Sequence, residues 1–218
     1  MVSALERANM NMIETKHDSK KKILGAALQV IRAKGYSATR VEDVCEAAGL
    51  TKGSFFHHFK SKEDLAVEAA AFWDVLTSGL FVTAPYHSLP RAIDRLLGYV
   101  DFRKALLLGN LPEFTCLVGT MVQEVYETYP AIRDACERSI SGHAATLEAD
   151  IAEAVRDSGV SAEWTAQSLA LHTQAVIQGA FILAKAKGGP EIAAQSLDHL
   201  RRYLTLLLDR TELKEKAA

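Results

Sequence analysis

The sequence predicts an all-α protein, with an N-terminal three-helix helix-turn-helix domain followed by a larger helical domain. From about residue 19 onward, apolar residues recur at intervals of three and four, which is the spacing of helices with one buried face. No strand-like alternation persists, and the five prolines lie far apart, so long helices are permitted. Because 49% of the 218 residues are hydrophobic, the chain can bury a sizeable core.

Local signals mark the first helices in order. The first helix ends at Gly35, and its apolar face consists of Ile23, Ala27, Val30 and Ile31. Thr39 and Glu42 have the spacing of a capping box, which predicts that the second helix starts at Arg40. The buried stripe of the second helix is Val41, Val44, Cys45 and Ala48. A third, short helix follows with Phe55 and Phe59 facing inward, and Ser61 with Asp64 predicts the start of a fourth.

The rest of the chain predicts longer helices separated by proline and glycine breaks. The expected helices cover about 91–107, 115–129, 130–158, 161–187 and 190–209. The breaks between them lie at 85–90, 109–112 and 188–190.

A glycine turn joins the second and third helices. In Gly49-Leu50-Thr51 the glycine supplies backbone freedom, the leucine can hold the turn against the core, and the threonine can cap the next helix. The outward side of that helix carries Lys52, Gly53, Phe56 and His57. Glycine destabilises a helix by about 1 kcal/mol relative to alanine. Its presence on the outward side is explained if the helix backbone must come close to another surface there. Such a helix can enter a DNA major groove. The alternative is a helical hairpin with a solvated charged face.

Charge is unevenly distributed along the chain. Residues 16–65 contain ten Lys or Arg and six Asp or Glu, whereas residues 66–218 contain fourteen and nineteen, and the net charge of the chain is −2. A basic N-terminal segment followed by an acidic remainder is typical of a protein that binds phosphate groups through its N-terminal part. Ordinary charge scatter is the alternative interpretation.

The segment TRVEDVCEAAGLTKGSFFHHFKSKEDL, residues 39–65, resembles the DNA-binding domain of the tetracycline-repressor (TetR) family. The resemblance implies a transcriptional regulator, most often a repressor, that binds a pseudo-palindromic double-stranded DNA operator as a homodimer. It also implies release by a small-molecule effector, whose identity the sequence does not give. The implied division is a flexible N-terminal arm over 1–15, a DNA-binding domain over 16–65 and a helical ligand-binding and dimerisation domain over 66–218.

The resemblance also assigns DNA contacts. The residues expected to face DNA are Thr51, Lys52, Gly53, Ser54, Phe56 and His57, and those expected to meet backbone phosphates are Thr39, Arg40 and Lys62. Phe56 departs from the family, which usually has tyrosine there. Its ring keeps van der Waals contact but cannot bond phosphate, so we expect affinity to suffer more than specificity.

The last two long helices are predicted to pair with a second copy of the chain in a four-helix bundle, as in the resembled family. The expected interface residues are Leu171, Ala175, Gly179, Ile182, Leu197, Leu200, Leu204 and Leu208. The alternative is that these stripes form the core of one protomer.

The middle helices are expected to enclose the effector. The candidate pocket residues are Trp73, Phe102, Phe114, Cys116, Met121, Gln123, Tyr126, His143, His172 and Gln178. For each apolar candidate the alternative is a core residue, which is the commoner role for such side chains. His172 and Gln178 are polar residues on otherwise apolar helices, so a position facing a cavity is one of the places open to them.

Cys116 falls at the start of a predicted helix, where the helix N-terminus lowers a thiol pKa. The run Cys116-Leu117-Val118-Gly119 with Gln123-Glu124 is similar to a segment of family members that respond to electrophiles or oxidants. A thiol-based sensor is therefore one alternative function, and an inert buried cysteine is the other interpretation. A DNA-binding regulator without an effector shares every N-terminal feature.

Other classes have little support in the sequence. An enzyme using Cys116 with a histidine would need a motif, and no phosphate loop or paired carboxylates are found. Three widely spaced cysteines favour neither disulfides nor a metal site. No apolar run approaches the roughly 20 residues of a membrane helix, and the N-terminus lacks a signal-peptide core. We therefore predict a cytoplasmic protein without membrane, cofactor or metal.

Overall fold

The computed structural model describes residues 19–209, which form a succession of α-helices. The helices are α1 (Ser19–Lys34), α2 (Val41–Ala48), α3 (Lys52–His58), α4 (Lys62–Val82), α5 (Ala92–Ala105), α6 (Leu111–Phe114), α7 (Leu117–Val125), α8 (Pro130–Ala145), α9 (Glu148–Ser158), α10 (Ala166–Lys187) and α11 (Glu191–Leu208). A 3₁₀-helix, Pro85–Ser88, lies between α4 and α5. Within 19–209 there is no strand, so the all-α prediction is confirmed. The predicted arm, 1–15, lies outside the described residues.

The helices gather into two compact units. The first unit runs to Phe81 and also contains Gly109–Ile140, while the second contains Val82–Leu108 and the chain from Ser141 onward. Helix α4 continues from Lys62 to Val82 without interruption, so packing does not divide the chain at residue 65. The functional boundary expected there stays a prediction.

The N-terminal helices of the first unit pack around one apolar core. Its fully buried residues include Ile23 and Ile31 on α1, Val44 on α2, Phe55 on α3, Leu65 on α4, and Leu117 and Met121 on α7. Short helices such as α2 and α3 are marginal in isolation, so this shared core stabilises them.

The turn between α2 and α3 forms as predicted. Gly49 adopts the left-handed conformation, with φ 65° and ψ 34°. Its N–H donates to the Glu46 carbonyl at 3.0 Å, and the Leu50 N–H donates to the Cys45 carbonyl at 2.9 Å. These bonds satisfy carbonyls at the end of α2, and only glycine adopts this conformation at little cost. The chain can therefore start α3 two residues later.

The start of α2 differs by one residue from the prediction. The N-cap is Arg40 rather than Thr39, and the Arg40 N–H donates to the Asp43 carboxylate at 2.7 Å. The predicted partner Glu42 instead pairs with Lys52. Threonine and glutamate had the right spacing, but the adjacent aspartate occupies the capping geometry.

Two of the longer helices are shorter than predicted. The helix expected over 130–158 is broken between Ala145 and Glu148, because the Thr146 and Leu147 N–H groups bond to carbonyls only three residues back. Helix α10 begins at Ala166 instead of near residue 161. Its N-cap is Thr165, whose hydroxyl accepts the Ser168 N–H at 3.1 Å.

The second unit is built around the pair α10 and α11. A short turn containing Gly188, with φ 78°, ends α10 and reverses the chain. Helix α5 packs against both α9 and α11, and α9 also contacts α10. This arrangement brings polar side chains of α5, α8 and α10 together.

Helix α4 is long and apolar enough, by length and composition, to cross a membrane. The core helix of a water-surrounded protein passes the same test. Leu65, Ala69 and Trp73 of α4 pack in the core of the first unit, which accounts for its apolar composition.

Candidate nucleic-acid interface

Helix α3 is held by its inward side. Phe55 is 0% exposed and Phe59 is 1% exposed, and their rings lie 5.5 Å apart in the core of the first unit. The Thr51 hydroxyl accepts the Ser54 N–H at 3.2 Å, which caps the helix. The predicted cap and inward aromatic pair are confirmed. A helix of seven residues gains a fixed orientation from these contacts.

The opposite side of α3 faces away from the core. Its exposed residues are Thr51, Lys52, Gly53, Phe56 and His57, and Ser54 is half-buried. Phe56 is 56% exposed although it is a large apolar side chain. Among residues 19–209, a Cβ built at Gly53 would meet only the Thr51 hydroxyl oxygen, at 3.6 Å, so none of these residues requires glycine there. The exposed ring and the glycine together form a low surface that another molecule can approach closely.

Two cations beside this face are already paired with carboxylates. Lys52 forms an ion pair with Glu42, and the hydrogen bond from Lys52 lowers the pKa of that carboxyl. Asp43 accepts from Lys34 at 2.9 Å and from Arg40 at 3.3 Å. The pKa of the Asp43 carboxyl is lowered mainly by the hydrogen bond from Lys34 and next by the hydrogen bond from the Arg40 backbone N–H. The Arg40 side chain is nevertheless 75% exposed, so its guanidinium remains accessible.

Thr39 and Lys62, both predicted to contact phosphates, make hydrogen bonds within the chain. Thr39 is 1% exposed, and its hydroxyl donates to the Gly35 carbonyl at 2.6 Å. The Lys62 ammonium donates to the Tyr36 and Thr39 carbonyls, both at 3.0 Å. Both groups therefore bond the turn between α1 and α2. The Thr39 hydroxyl is buried there, so its assignment to a phosphate is wrong, while phosphate contact by the half-buried Lys62 stays a prediction.

A carboxylate of α7 also binds this turn. The Glu124 carboxylate accepts the Tyr36 N–H at 3.1 Å and the Ser37 N–H at 2.8 Å. The Lys62 ammonium lies 4.2 Å from the centroid of the Tyr36 ring. No local pattern links residues 36 and 124, so the sequence does not predict this arrangement. It fixes the segment that leads into the helix-turn-helix.

Family comparisons cover both parts of the chain. The family described as "Bacterial regulatory proteins, tetR family" matches residues 23–69, which contain α2 and α3. The family described as "Tetracyclin repressor-like, C-terminal domain" matches residues 92–200. The chain belongs to the TetR family. It is a transcriptional regulator with a DNA-binding helix-turn-helix, and TetR-family proteins are generally not enzymes.

The chain is also similar to individual transcriptional regulators in sequence and in structure. The regulator LmrA of Bacillus subtilis is 27% identical over 175 residues, which cover 77% of this chain and 86% of LmrA. AcuR of Cereibacter sphaeroides is 28% identical over 99 residues, which cover 41% of this chain and less than half, 45%, of AcuR. A TetR-family regulator from Agrobacterium tumefaciens has a TM-score of 0.75 at 17% identity, over 85% of this chain and 96% of that one. At such identity the likeness shows the fold alone.

Several residues predicted to line an effector pocket are instead exposed. Tyr126 is 59% exposed, and Gln123 and His172 also lie on the surface. The His172 ring contacts Tyr203 with centroids 5.4 Å apart. Their exposure does not support a place in an enclosed cavity, and effector contact by these three residues stays a prediction.

The other pocket candidates are buried or half-buried. In the first unit, Trp73, Phe114 and Met121 are buried, and Cys116 packs half-buried against the core. In the second unit, Phe102, His143 and Gln178 are half-buried. Burial alone fits a core role equally well, so ligand contact by these residues stays a prediction.

Cys116 is the N-cap of α7, which confirms its predicted position at the start of a helix. Its sulfur accepts the Gly119 N–H at 3.4 Å. Cys45 and Cys136 are buried, as predicted for core cysteines, and burial raises the pKa of Cys136 to about 12. Reactivity of Cys116 stays a prediction.

The predicted TetR-type dimer residues fall into two groups. Leu171 and Ile182 of α10 are 41% and 46% exposed, and Ala175 and Gly179 lie on the same side of that helix. The four leucines of α11, which are Leu197, Leu200, Leu204 and Leu208, are at most 3% exposed within the single chain. They belong to the protomer core, and their assignment to the interface is wrong.

The second unit also holds a polar cluster, defined by Tyr99, Arg103, His143 and Gln174. The Arg103 guanidinium contacts His143 Nε2 at 2.7 Å and donates to the Tyr99 hydroxyl at 3.0 Å. The Gln174 amide donates to the same hydroxyl at 2.7 Å. Burial, helped by the nearby Arg103 cation, lowers the pKa of His143 to about 3. Only His143 was predicted as a site residue. Gln174, polar on an apolar face, offered the same sequence signal as Gln178.

Replacing Lys62 with methionine is expected to destabilise the first unit. The variant keeps the packing volume but removes the ammonium donor from the Thr39 and Tyr36 carbonyls, of which the Tyr36 carbonyl still accepts the Thr39 N–H. We expect a cost of about 1–3 kcal/mol. Urea unfolding measures the change, and Lys60→Met is the control because Lys60 is exposed. Equal stability of the two variants would contradict the assignment of Lys62 to the turn.

The stability of the protein is expected to fall as the pH falls from about 7 to 4. The unfolded chain protonates His143 near its ordinary pKa of 6.5, whereas folded His143 stays neutral down to a pKa of about 3. The unfolded state therefore binds more protons in this window. Urea midpoints against pH should vary less steeply in His143→Gln than in wild type, with exposed His199→Gln as control. An unchanged slope in His143→Gln would rule out this role of the imidazole.

Proposed function

We propose that this TetR-family chain is a ligand-responsive repressor that binds a pseudo-palindromic operator as a homodimer in the cytoplasm. The observation that carries the proposal is the outward side of α3. Its exposed Phe56 and unobstructed Gly53 are presented by a helix whose inward aromatic side chains are buried. A major groove admits a helix of this size, and its base edges lie within reach of short side chains.

The positive charge available for phosphate is smaller than the sequence suggests. Lys62 is bonded to the turn, and Lys52 is paired with Glu42. Arg40 and the N–H groups at the start of α3 therefore supply the main contacts expected with backbone phosphates. Lys52 can exchange its carboxylate partner for a phosphate when DNA is bound.

Homodimer formation is supported by the apolar side of α10. Leu171 and Ile182 lie on one face with a glycine and an alanine between them, which permits close helix packing. Exposed apolar patches of this kind mark interaction surfaces. One α3 helix reads only a few base pairs, and a two-fold pair offers two such helices about 34 Å apart along the duplex.

Replacing Gly53 with alanine should separate stability from DNA binding. Alanine raises helix stability by about 1 kcal/mol, while its methyl group projects from the proposed DNA-facing side of α3. We expect operator affinity to fall by about tenfold or more. The duplex is obtained by selecting bound genomic fragments, and affinity is measured by fluorescence anisotropy.

Gly25→Ala is the matched control, because Gly25 lies inside α1 and a Cβ there would meet no atom of the described part of the chain within 4 Å. It should gain similar stability and leave affinity unchanged. If Gly53→Ala binds as tightly as Gly25→Ala, α3 does not approach DNA closely.

A double variant, Leu171→Asp with Ile182→Asp, is expected to be monomeric in sedimentation at micromolar concentration. Two carboxylates on the α10 face would be buried unpaired in a dimer, which is strongly unfavourable. Val75→Asp, on an exposed residue of α4, should stay dimeric. A monomeric wild type, or a double variant that still dimerises, refutes this interface.

A further inference from the structure

The turn that follows α1 contains a backbone nest, formed by the N–H groups of Tyr36 and Ser37 directly after Gly35. Successive N–H groups in a turn form a concavity that binds anions. The anion in this nest is the Glu124 carboxylate of α7, which accepts the Tyr36 N–H at 3.1 Å and the Ser37 N–H at 2.8 Å. Gly35 has a φ of 85°, and a Cβ there would overlap the Glu124 carboxylate. Both the turn and its occupant therefore require glycine at this position.

Helix α7 carries Glu124 to a defined place. Leu117, Met121 and Val125 recur along one side of α7 and are at most 1% exposed in the core of the first unit. Helix α7 also packs against α1, the helix that leads into the nest. Because its buried side fixes the helix, the position of the Glu124 carboxylate follows from the packing of α7.

Hydrogen bonds within the 35–39 turn connect the nest to the start of α2. The Thr39 hydroxyl donates to the Gly35 carbonyl at 2.6 Å, and the Thr39 N–H donates to the Tyr36 carbonyl at 3.1 Å. The Lys62 ammonium bonds the Tyr36 and Thr39 carbonyls as well. The next residue, Arg40, is the N-cap of α2. The conformation of this turn therefore sets where α2 begins and in which direction it runs.

The direction of α2 matters for the proposed contacts with DNA. The exposed guanidinium of Arg40 lies at the start of α2, and only residues 49–51 separate α2 from α3. A change in the direction of α2 would therefore move both Arg40 and α3. Because N–H···O bonds span only about 2.7–3.2 Å, a small shift is enough to break a contact with phosphate.

We propose that Glu124 is a positioning residue for DNA binding. By occupying the nest, its carboxylate fixes the 35–39 turn, and through that turn it sets the places of Arg40 and α3 at the duplex. Glu124 acts through these groups and needs no contact with DNA of its own. The role rests on the proposed binding of Arg40 and α3 to an operator.

Glu124→Gln in the full-length protein tests this role by the sign of its effect on DNA affinity. Glutamine keeps the size of the side chain but has one acceptor oxygen instead of two. Loss of a negative charge alone would raise affinity for a polyanion, whereas loss of position should lower it. We expect the Kd for the selected genomic duplex, measured by fluorescence anisotropy, to rise about tenfold. Glu127→Gln removes the same charge from an exposed residue three positions later, and it should bind at least as tightly as wild type.

Two further readouts separate positioning from a general loss of stability. Because Glu124 acts partly through Arg40, Glu124→Gln should weaken binding less in an Arg40→Gln background than in the wild-type background. Amide hydrogen exchange in Glu124→Gln should become faster at Tyr36 and Ser37, while the Leu50 N–H, which bonds within the turn between α2 and α3, should keep its protection.

The role is refuted if Glu124→Gln binds DNA as tightly as Glu127→Gln, if its effect is undiminished in the Arg40→Gln background, or if exchange at Tyr36 and Ser37 is unchanged. Should Glu124→Gln not fold, Glu124→Asp keeps the charge but shortens the side chain by one methylene group, and unchanged affinity in that variant refutes the role. A wild type that binds no duplex refutes the proposed function and this role with it, whereas the other outcomes concern Glu124 alone.

Discussion

The burial of Phe55 and Phe59 is the constraint on which the DNA-facing surface depends. A seven-residue helix makes too few hydrogen bonds to be stable alone, so α3 exists because its inward side is part of a larger core. The same contact fixes which residues face outward. Gly53 and Phe56 are presented because the aromatic residue between them on the inward side cannot leave the core without losing its apolar burial.

Charged side chains near α3 also stabilise the turn between α1 and α2. Lys62 and Glu124 bond the turn at Tyr36 from opposite sides, one to its carbonyl and the other to its N–H. Helix α7, which carries Glu124, is thereby joined to the segment that precedes α2. A shift of α7 within the first unit would change these bonds and alter the start of the helix-turn-helix.

Local features could be predicted from the sequence, and contacts between distant residues could not. The Gly49 turn, the Thr51 cap and the inward Phe55 depend on short spacings that the sequence displays directly. The hydrogen bonds of Lys62 and Thr39 could not be predicted, because their partners are backbone carbonyls, which no residue pattern reveals. The α11 leucines formed a clear stripe, but a stripe does not say whether the protomer or a partner covers it. Likewise, Tyr99 and Gln174 meet across 75 residues.

The most direct measurement of the central claim is tethered cleavage of bound DNA. An iron chelate attached to cysteine in His57→Cys, made in a Cys116→Ser background, places the reagent on the outward side of α3. Cutting of a selected genomic duplex is predicted in two zones about one helical turn apart. A duplex that is bound but left uncut, or that is cut equally by a chelate placed on α4 through Val75→Cys, would contradict the claim that α3 lies in the groove.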